Sequence, residues 1–258
     1  MIESKVLIYD GSFNGFLTAI YIAFQKNIIV NNIQKNSVNI NVLFTETKTI
    51  FTNLEKAKRV WNGIANKNSV AIKNIYFAYQ SETKDIEILL YKYVQKLYDN
   101  QDTFPVAFSS PLEIKIEQLA KSVSREKQYI EAFSKFKKTA DSINFINIEP
   151  EFDILPLISK HYRSKYNEQQ WLIYDLKRSY GIYFDFERVE IISLDLQEFY
   201  ASYSQNFGSF NEVNYSYKEL FDNYFKSIAI KSLINKKLLQ QQKPMVKQDN
   251  YVVKREAV

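Results

Sequence analysis

The sequence predicts an α+β protein: a mostly helical body carrying a small antiparallel or mixed sheet, followed by a basic helical C-terminal extension. Three observations predict it. Apolar residues recur at helical spacing in several segments, short β-branched and aromatic runs separate them, and only 5 Gly and 5 Pro occur among 258 residues. That scarcity argues against a Gly-rich dinucleotide fold and against a sandwich with many turns. A hydrophobic content of 46%, with 16% aromatic residues, is ample for a sizeable core.

Lys5-Val6-Leu7-Ile8-Tyr9 reads as a strand and Asp10-Gly11-Ser12-Phe13-Asn14-Gly15 as the turn after it. Phe16, Leu17, Ile20, Tyr21 and Phe24 then share a helical face, with Ser12 as the N-cap. Residues 27–52 are Asn-rich and read as loop, apart from one strand near 40–44. Leu54, Ala57, Val60, Trp61 and Ile64 mark a helix capped by Asn53, and Ile86, Leu89, Leu90, Tyr93, Val94 and Leu97 mark another. Ser110-Pro111-Leu112-Glu113 supplies an N-cap, a proline at the first helical position and the acid of a capping box, opening a helix that runs to about Thr139. A strand over 142–148 and a helix opened by Pro150 follow. Runs at 171–175, 180–185 and 189–192, broken by Lys177-Arg178 and Glu187-Arg188, read as a meander. The body, read as a single α+β domain, is expected to span 1–193, with a linker over 194–217 and the extension over 218–258.

The formal charge of +5 is concentrated in that extension. Residues 218–258 contain nine Lys and Arg, Lys236 and Lys237 among them, against four acids, while the body before them is balanced. A basic arm for an anionic partner has this form, and so does a solvated helix.

Composition also limits chemistry. Cysteine is absent and His161 is the single histidine, so this chain alone cannot hold a thiolate-ligated cluster or an ordinary zinc site. A carboxylate site for magnesium or manganese stays open. The start Met1-Ile2-Glu3-Ser4-Lys5 does not lead into the apolar region of a signal peptide, and Asn, Lys and Glu break every apolar run. The expectation is a cytoplasmic protein with no membrane contact.

Four features are candidate sites. Glu126 falls on the apolar stripe formed by Leu119, Val123, Ile130 and Phe133, where desolvation favours a general acid or base, or else a structural pair with Arg125, Lys127 or Arg178. The 10–15 loop, through Gly11, Ser12 and Gly15, can cradle a phosphate at a helix N-terminus or form a plain tight turn; it lacks the lysine of a P-loop. His161 lies at the margin of an apolar face, where a hydrogen-bonding role is the bland reading. Asp175-Leu176-Lys177-Arg178 places an acid beside two bases, where a phosphate contact and an ion pair look alike.

Several strings resemble a bacterial family of DNA repair or DNA metabolism proteins with a domain of unassigned function. They are Tyr-Asp-Gly-Ser-Phe-Asn-Gly at 9–15, Glu-Lys-Ala-Lys-Arg-Val-Trp-Asn-Gly at 55–63, Ser-Arg-Glu-Lys at 124–127, Phe133 and Phe136, Glu-Pro-Glu-Phe-Asp-Ile-Leu-Pro-Leu at 149–157, His161-Tyr162, and Trp-Leu-Ile-Tyr-Asp-Leu-Lys-Arg-Ser-Tyr-Gly at 171–181. The resemblance implies association with a radical SAM protein and, in some members, fusion to a uracil-DNA glycosylase domain that is absent here. The chain departs from the family pattern at Arg125 and Phe152, where the family can carry His, and at Lys135 and Lys165, where Arg is common.

These readings lead to one expectation and two alternatives. The expected function is nucleic-acid repair or modification: the chain binds DNA, RNA or a nucleotide through Gly11, Ser12, Gly15, Arg125, His161, Lys177, Arg178, Lys236 and Lys237. No cofactor is expected on this chain, and the iron-sulfur cluster and S-adenosylmethionine belong to the partner. One alternative is a self-sufficient glycosylase or hydrolase using Glu126, Asp10 and Asp175. The other is a non-catalytic protein-protein scaffold.

Overall fold

The computed structural model describes residues 4–36, 46–99, 110–138 and 142–193. Six helices and eight strands lie among them, distributed over two compact units. The first comprises Met1–Ser134 with Pro150–Ile158, and the second Lys135–Glu149 with Ser159 onward. The α+β class is as predicted, but there are two sheets, one wholly parallel and one mixed.

In the first unit, β1 (Lys5–Tyr9) is the middle strand of a three-stranded parallel sheet, flanked by β2 (Val30–Lys35) and β3 (Glu46–Thr49) in the order β2-β1-β3. Its buried run Val6, Leu7, Ile8 and Tyr9 has the continuous apolar character of a strand covered on both faces. α1 (Phe13–Gln25) returns the chain to β2 and packs on α2 (Leu54–Lys67). α3 (Ser69–Tyr79), α4 (Ile86–Asp99) and α5 (Pro111–Phe133) complete the unit, with α3 against α5. One core of Leu7, Phe16, Ile20, Ile64, Ile75, Leu90 and Val94, with other buried residues, joins the sheet to these helices.

Several boundaries differ from the sequence reading. The stretch 27–52 is not mainly loop: it contains β2 and β3. Both are polar, and only Ile33 is buried in β2, so alternation could not reveal strands formed by pairing with β1. The strand expected near 40–44 lies outside the described residues, as do the linker and the C-terminal extension. α3 was not anticipated. Asn68 ends one helix and caps the next, accepting from the Val70 and Ala71 amides at 2.9 Å each. α5 stops at Phe133 instead of about Thr139, because Ser134 leaves helical geometry and the chain enters β4 (Lys137–Lys138).

The second unit holds a five-stranded sheet in the order β4-β5-β6-β7-β8. β5 (Asn144–Ile148) runs parallel to β6 (Trp171–Asp175), and β7 (Tyr180–Phe184) and β8 (Val189–Ser193) complete the antiparallel meander that was expected. α6 spans Leu155–Lys165, beginning later than the helix read from Pro150, and only its part from Ser159 belongs to this unit. Trp171 is fully buried, stacked on Phe184 with ring centres 5.4 Å apart. Gly181 is dictated by its neighbour on β6: a Cβ there would lie 2.8 Å from the Ile173 carbonyl oxygen.

Candidate functional site

In a parallel sheet ordered β2-β1-β3, the chain leaves the middle strand toward one side and later fills the other. The loops after β1 and β3 therefore open a crevice at the carboxyl ends of the strands, the usual ligand position in such sheets. Here they are tied together. Thr52 Oγ1 donates to Asp10 Oδ2 at 2.7 Å, and the Ser12 amide and hydroxyl donate to Asp10 Oδ1 at 3.0 and 2.7 Å. Burial pushes the Asp10 carboxyl up, but the hydrogen bonds from Thr52 and Ser12 outweigh it and hold the group below its ordinary range. Asp10 is thus an ionised acceptor with both oxygens engaged.

The rest of the loop is built around that carboxylate. The Ser12 hydroxyl also caps α1, accepting from the Gly15 amide at 2.9 Å. A Cβ on Gly15 would lie 2.2 Å from Asp10 Oδ1, so only glycine fits. Gly11 adopts a φ of +85°, and its carbonyl accepts from the Tyr79 hydroxyl at 2.7 Å. Tyr79 Oη lies 3.0 Å from Tyr9 Oη, and Tyr9 donates to Glu87 Oε1 at 2.8 Å. Burial drives both phenols far above their ordinary range, so they serve as neutral donors beneath the loop.

The other candidate residues are engaged in similar ways. Glu126 accepts from the Glu151 and Phe152 amides at 2.7 and 2.9 Å, so its partners are backbone groups and not a basic side chain of its own helix. Its neighbour Arg125 is exposed on α5. In the second unit Asp175 is fully buried at 0% exposure, and its carboxylate accepts from the Lys177 and Arg178 amides at 2.9 and 3.1 Å and from the Arg178 guanidinium at 2.9 Å. This closes the β6–β7 turn. His161, half-buried on α6, meets Tyr162 edge-on at 5.4 Å. Lys236 and Lys237 lie outside the described residues.

The structure thus brings Asp10, Gly11, Ser12 and Gly15 into one loop, each with a defined role in its geometry. Among the described residues no group of three or more His, Asp or Glu is placed to hold a metal ion, and no helix is long and apolar enough to cross a membrane.

Two parts of the crevice were missed by the sequence reading. Thr52 sat in a stretch read as loop. Glu87 had a legible signal: it falls three, four and seven residues before Leu90, Tyr91 and Val94, which are all buried. A third unread feature is the charge of α2, the helix that starts two residues after Thr52. It carries Lys56, Lys58, Arg59 and Lys67 against the single acid Glu55, and none of the four bases forms an ion pair among the described residues.

Residues 84–250 match DUF4130, a domain of unknown function. The chain belongs to that family. The DUF4130 match takes in Glu126, His161, Asp175 and Arg178, whereas the crevice loop, Thr52 and α2 precede it. No curated protein matches the chain.

Proposed function

We propose that this chain is a nucleic-acid-binding accessory protein of DNA repair or modification, which holds DNA or RNA for a radical SAM partner. The cluster and the S-adenosylmethionine belong to that partner. The observation that carries this reading is the exposed face of α2. Four bases and one acid on a single helix, without ion pairs among the described residues, leave an uncompensated positive field of the kind phosphates neutralise. The nine bases of residues 218–258 add to it in sequence. The repair context and the partner are supported by the resemblance of residues 9–15, 55–63 and 171–181.

One further observation favours an accessory role over a self-sufficient carboxylate enzyme. Asp10, Glu126 and Asp175 each have both carboxylate oxygens hydrogen-bonded by the chain's own donors. A general base needs an oxygen within reach of the substrate proton and a pKa near the working pH. Asp10 in particular is displaced in the wrong direction.

The test is binding of labelled DNA and RNA across a salt series. The logarithm of affinity should fall linearly with the logarithm of salt, and replacing Lys56, Lys58 and Arg59 by Gln should lower the slope by about 2 to 3. Deleting 218–258 should flatten it further. Binding that ignores salt, or a slope unchanged by the triple replacement, overturns the reading. Turnover of lesion-containing DNA by the purified chain, lost in Glu126→Gln with melting unchanged, would establish the enzyme instead. Capture of the radical SAM protein with no nucleic acid would establish the scaffold.

A further inference from the structure

An open cleft of about 440 Å³ lies between α1, α2 and the end of α4, lined by Ile20, Tyr21, Phe24, Arg59, Val60 and Tyr98. Phe24 and Tyr98 remain 39% and 38% exposed, with ring centres 5.8 Å apart and Phe24 also meeting Tyr91 at 5.9 Å, so the two rings are packed on one side and open to solvent on part of their surface. Cations stand over the rings from α2: Lys56 Nζ lies 5.5 Å from the Tyr21 ring centre and Lys67 Nζ 4.7 Å from that of Tyr98. Arg59 reaches the Tyr21 hydroxyl at 3.4 Å. No acid lines the cleft.

Gly63 makes the arrangement possible. A Cβ at that position would lie 2.5 Å from the Tyr98 hydroxyl, so the absence of a side chain lets Tyr98 lie across α2. The glycine therefore acts on the ring's position and not on the helix, whose own stability it lowers.

We propose that this cleft takes unpaired bases of a single-stranded nucleic acid, stacked on Tyr98 and Phe24, with the adjoining phosphates on Lys56, Arg59 and Lys67. This rests on the nucleic-acid reading above and names the form of nucleic acid the surface selects. Exposed rings interleaved with cations are the recurring platform for single strands, since every base offers a π face and every nucleotide a phosphate. Duplex DNA hides its base faces and can use only the cations. An acidic peptide would likewise find the cations, but it brings no base to stack on the exposed parts of the Phe24 and Tyr98 rings. The cleft volume is in the range of sites that hold small planar ligands.

The experiment uses the full chain, with a labelled oligothymidine of about 12 nucleotides, within the usual single-strand site size, a duplex of the same length, and polyglutamate as competitor. The single strand should bind more tightly than the duplex. Tyr98→Ala and Phe24→Leu should each weaken single-strand binding roughly tenfold while leaving duplex binding unchanged. Gly63→Ala is the second arm. It should preserve or raise the melting temperature, because it displaces only the tip of a side chain, and yet weaken single-strand binding by moving Tyr98.

Equal binding of single strand and duplex, or ring variants that bind the single strand as the parent does, overturns the cleft proposal while salt-dependent binding leaves the nucleic-acid reading standing. Competition by polyglutamate as effective as by unlabelled oligothymidine shows a docking surface for acidic protein and also overturns it. Failure of the chain to bind either oligonucleotide removes both.

Discussion

At the scale of single residues, the best-defined chemistry lies beneath the β1–α1 loop. Three polar groups, Glu87, Tyr9 and Tyr79, run through an aromatic cluster of Phe13, Phe16 and Tyr76 and end on the Gly11 carbonyl. Their unequal consequences are testable. Tyr79→Phe removes one neutral hydrogen bond to the Gly11 carbonyl, an expected loss of about 1 kcal/mol. Tyr9→Phe removes the hydroxyl that donates to the buried Glu87 carboxylate and should cost more, roughly 2–3 kcal/mol, because a buried acceptor is left without its donor. Urea denaturation of the two variants measures both, and equal losses would show that Glu87 does not depend on Tyr9. The same scale shows what was legible. The glycine loop and the Ser12 cap were readable from spacing, whereas Glu126, placed on a stripe with Phe133, is only half-buried and Phe133 is exposed. The partners of the loop were not readable, because Thr52 and Tyr79 reach Asp10 and Gly11 from 42 and 68 residues away.

At the scale of elements, legibility followed how local the cause of each element was. Helices that carry their own cap and stripe were found: Asn53 begins α2 and the Ser110 capping box begins α5. α3 has equally local signals, with Ala71, Ile72, Ile75, Ala78 and Tyr79 on one face, but a cap one residue after the preceding helix hides it. Asn68→Ala should therefore destabilise the chain by about 1 kcal/mol or slightly more, since its side chain accepts from two amides at once. Thermal melting checks this, and an unchanged midpoint would mean that packing alone sets the α2–α3 junction. β2 and β3 stand at the other extreme. Their sequences, Val-Asn-Asn-Ile-Gln-Lys and Glu-Thr-Lys-Thr, carry almost no strand signal and become strands by pairing with β1.

At the scale of the whole molecule, charge ties stability to pH. Three carboxyls are held below their ordinary values: Asp10, where hydrogen bonds from Thr52 and Ser12 overcome burial; Glu113, where burial is likewise overcome by the Ser110 cap and Lys96; and Asp185, held by the Arg188 amide first. A carboxyl whose folded pKa is depressed contributes stability that is complete above its unfolded value and fades as pH falls through its folded value. With unfolded values of 3.8 for the aspartates and 4.5 for the glutamate, the contribution is present near neutrality and is lost below those values. Asp10→Asn and Asp185→Asn should each flatten the acid limb of stability against pH and leave its shape above pH 6 unaltered, with a modest effect because Asp10 is exposed and Asp185 only half-buried. Melting measured from pH 3 to 7 decides it: an acid limb as steep as the parent's would rule out this linkage.

The polarity of β2 and β3 has a consequence for how copies of the chain meet one another. Among the described residues these are the outer strands of the parallel sheet, and an outer strand exposes a ladder of amides and carbonyls that invites another strand. Lys35 on β2, and Glu46 and Lys48 on β3, place charge along both rims. A strand arriving from a second molecule must bury those charges or meet its own copy of them. The features that made these two segments hard to read as strands are thus the ones that keep the sheet from recruiting more of them.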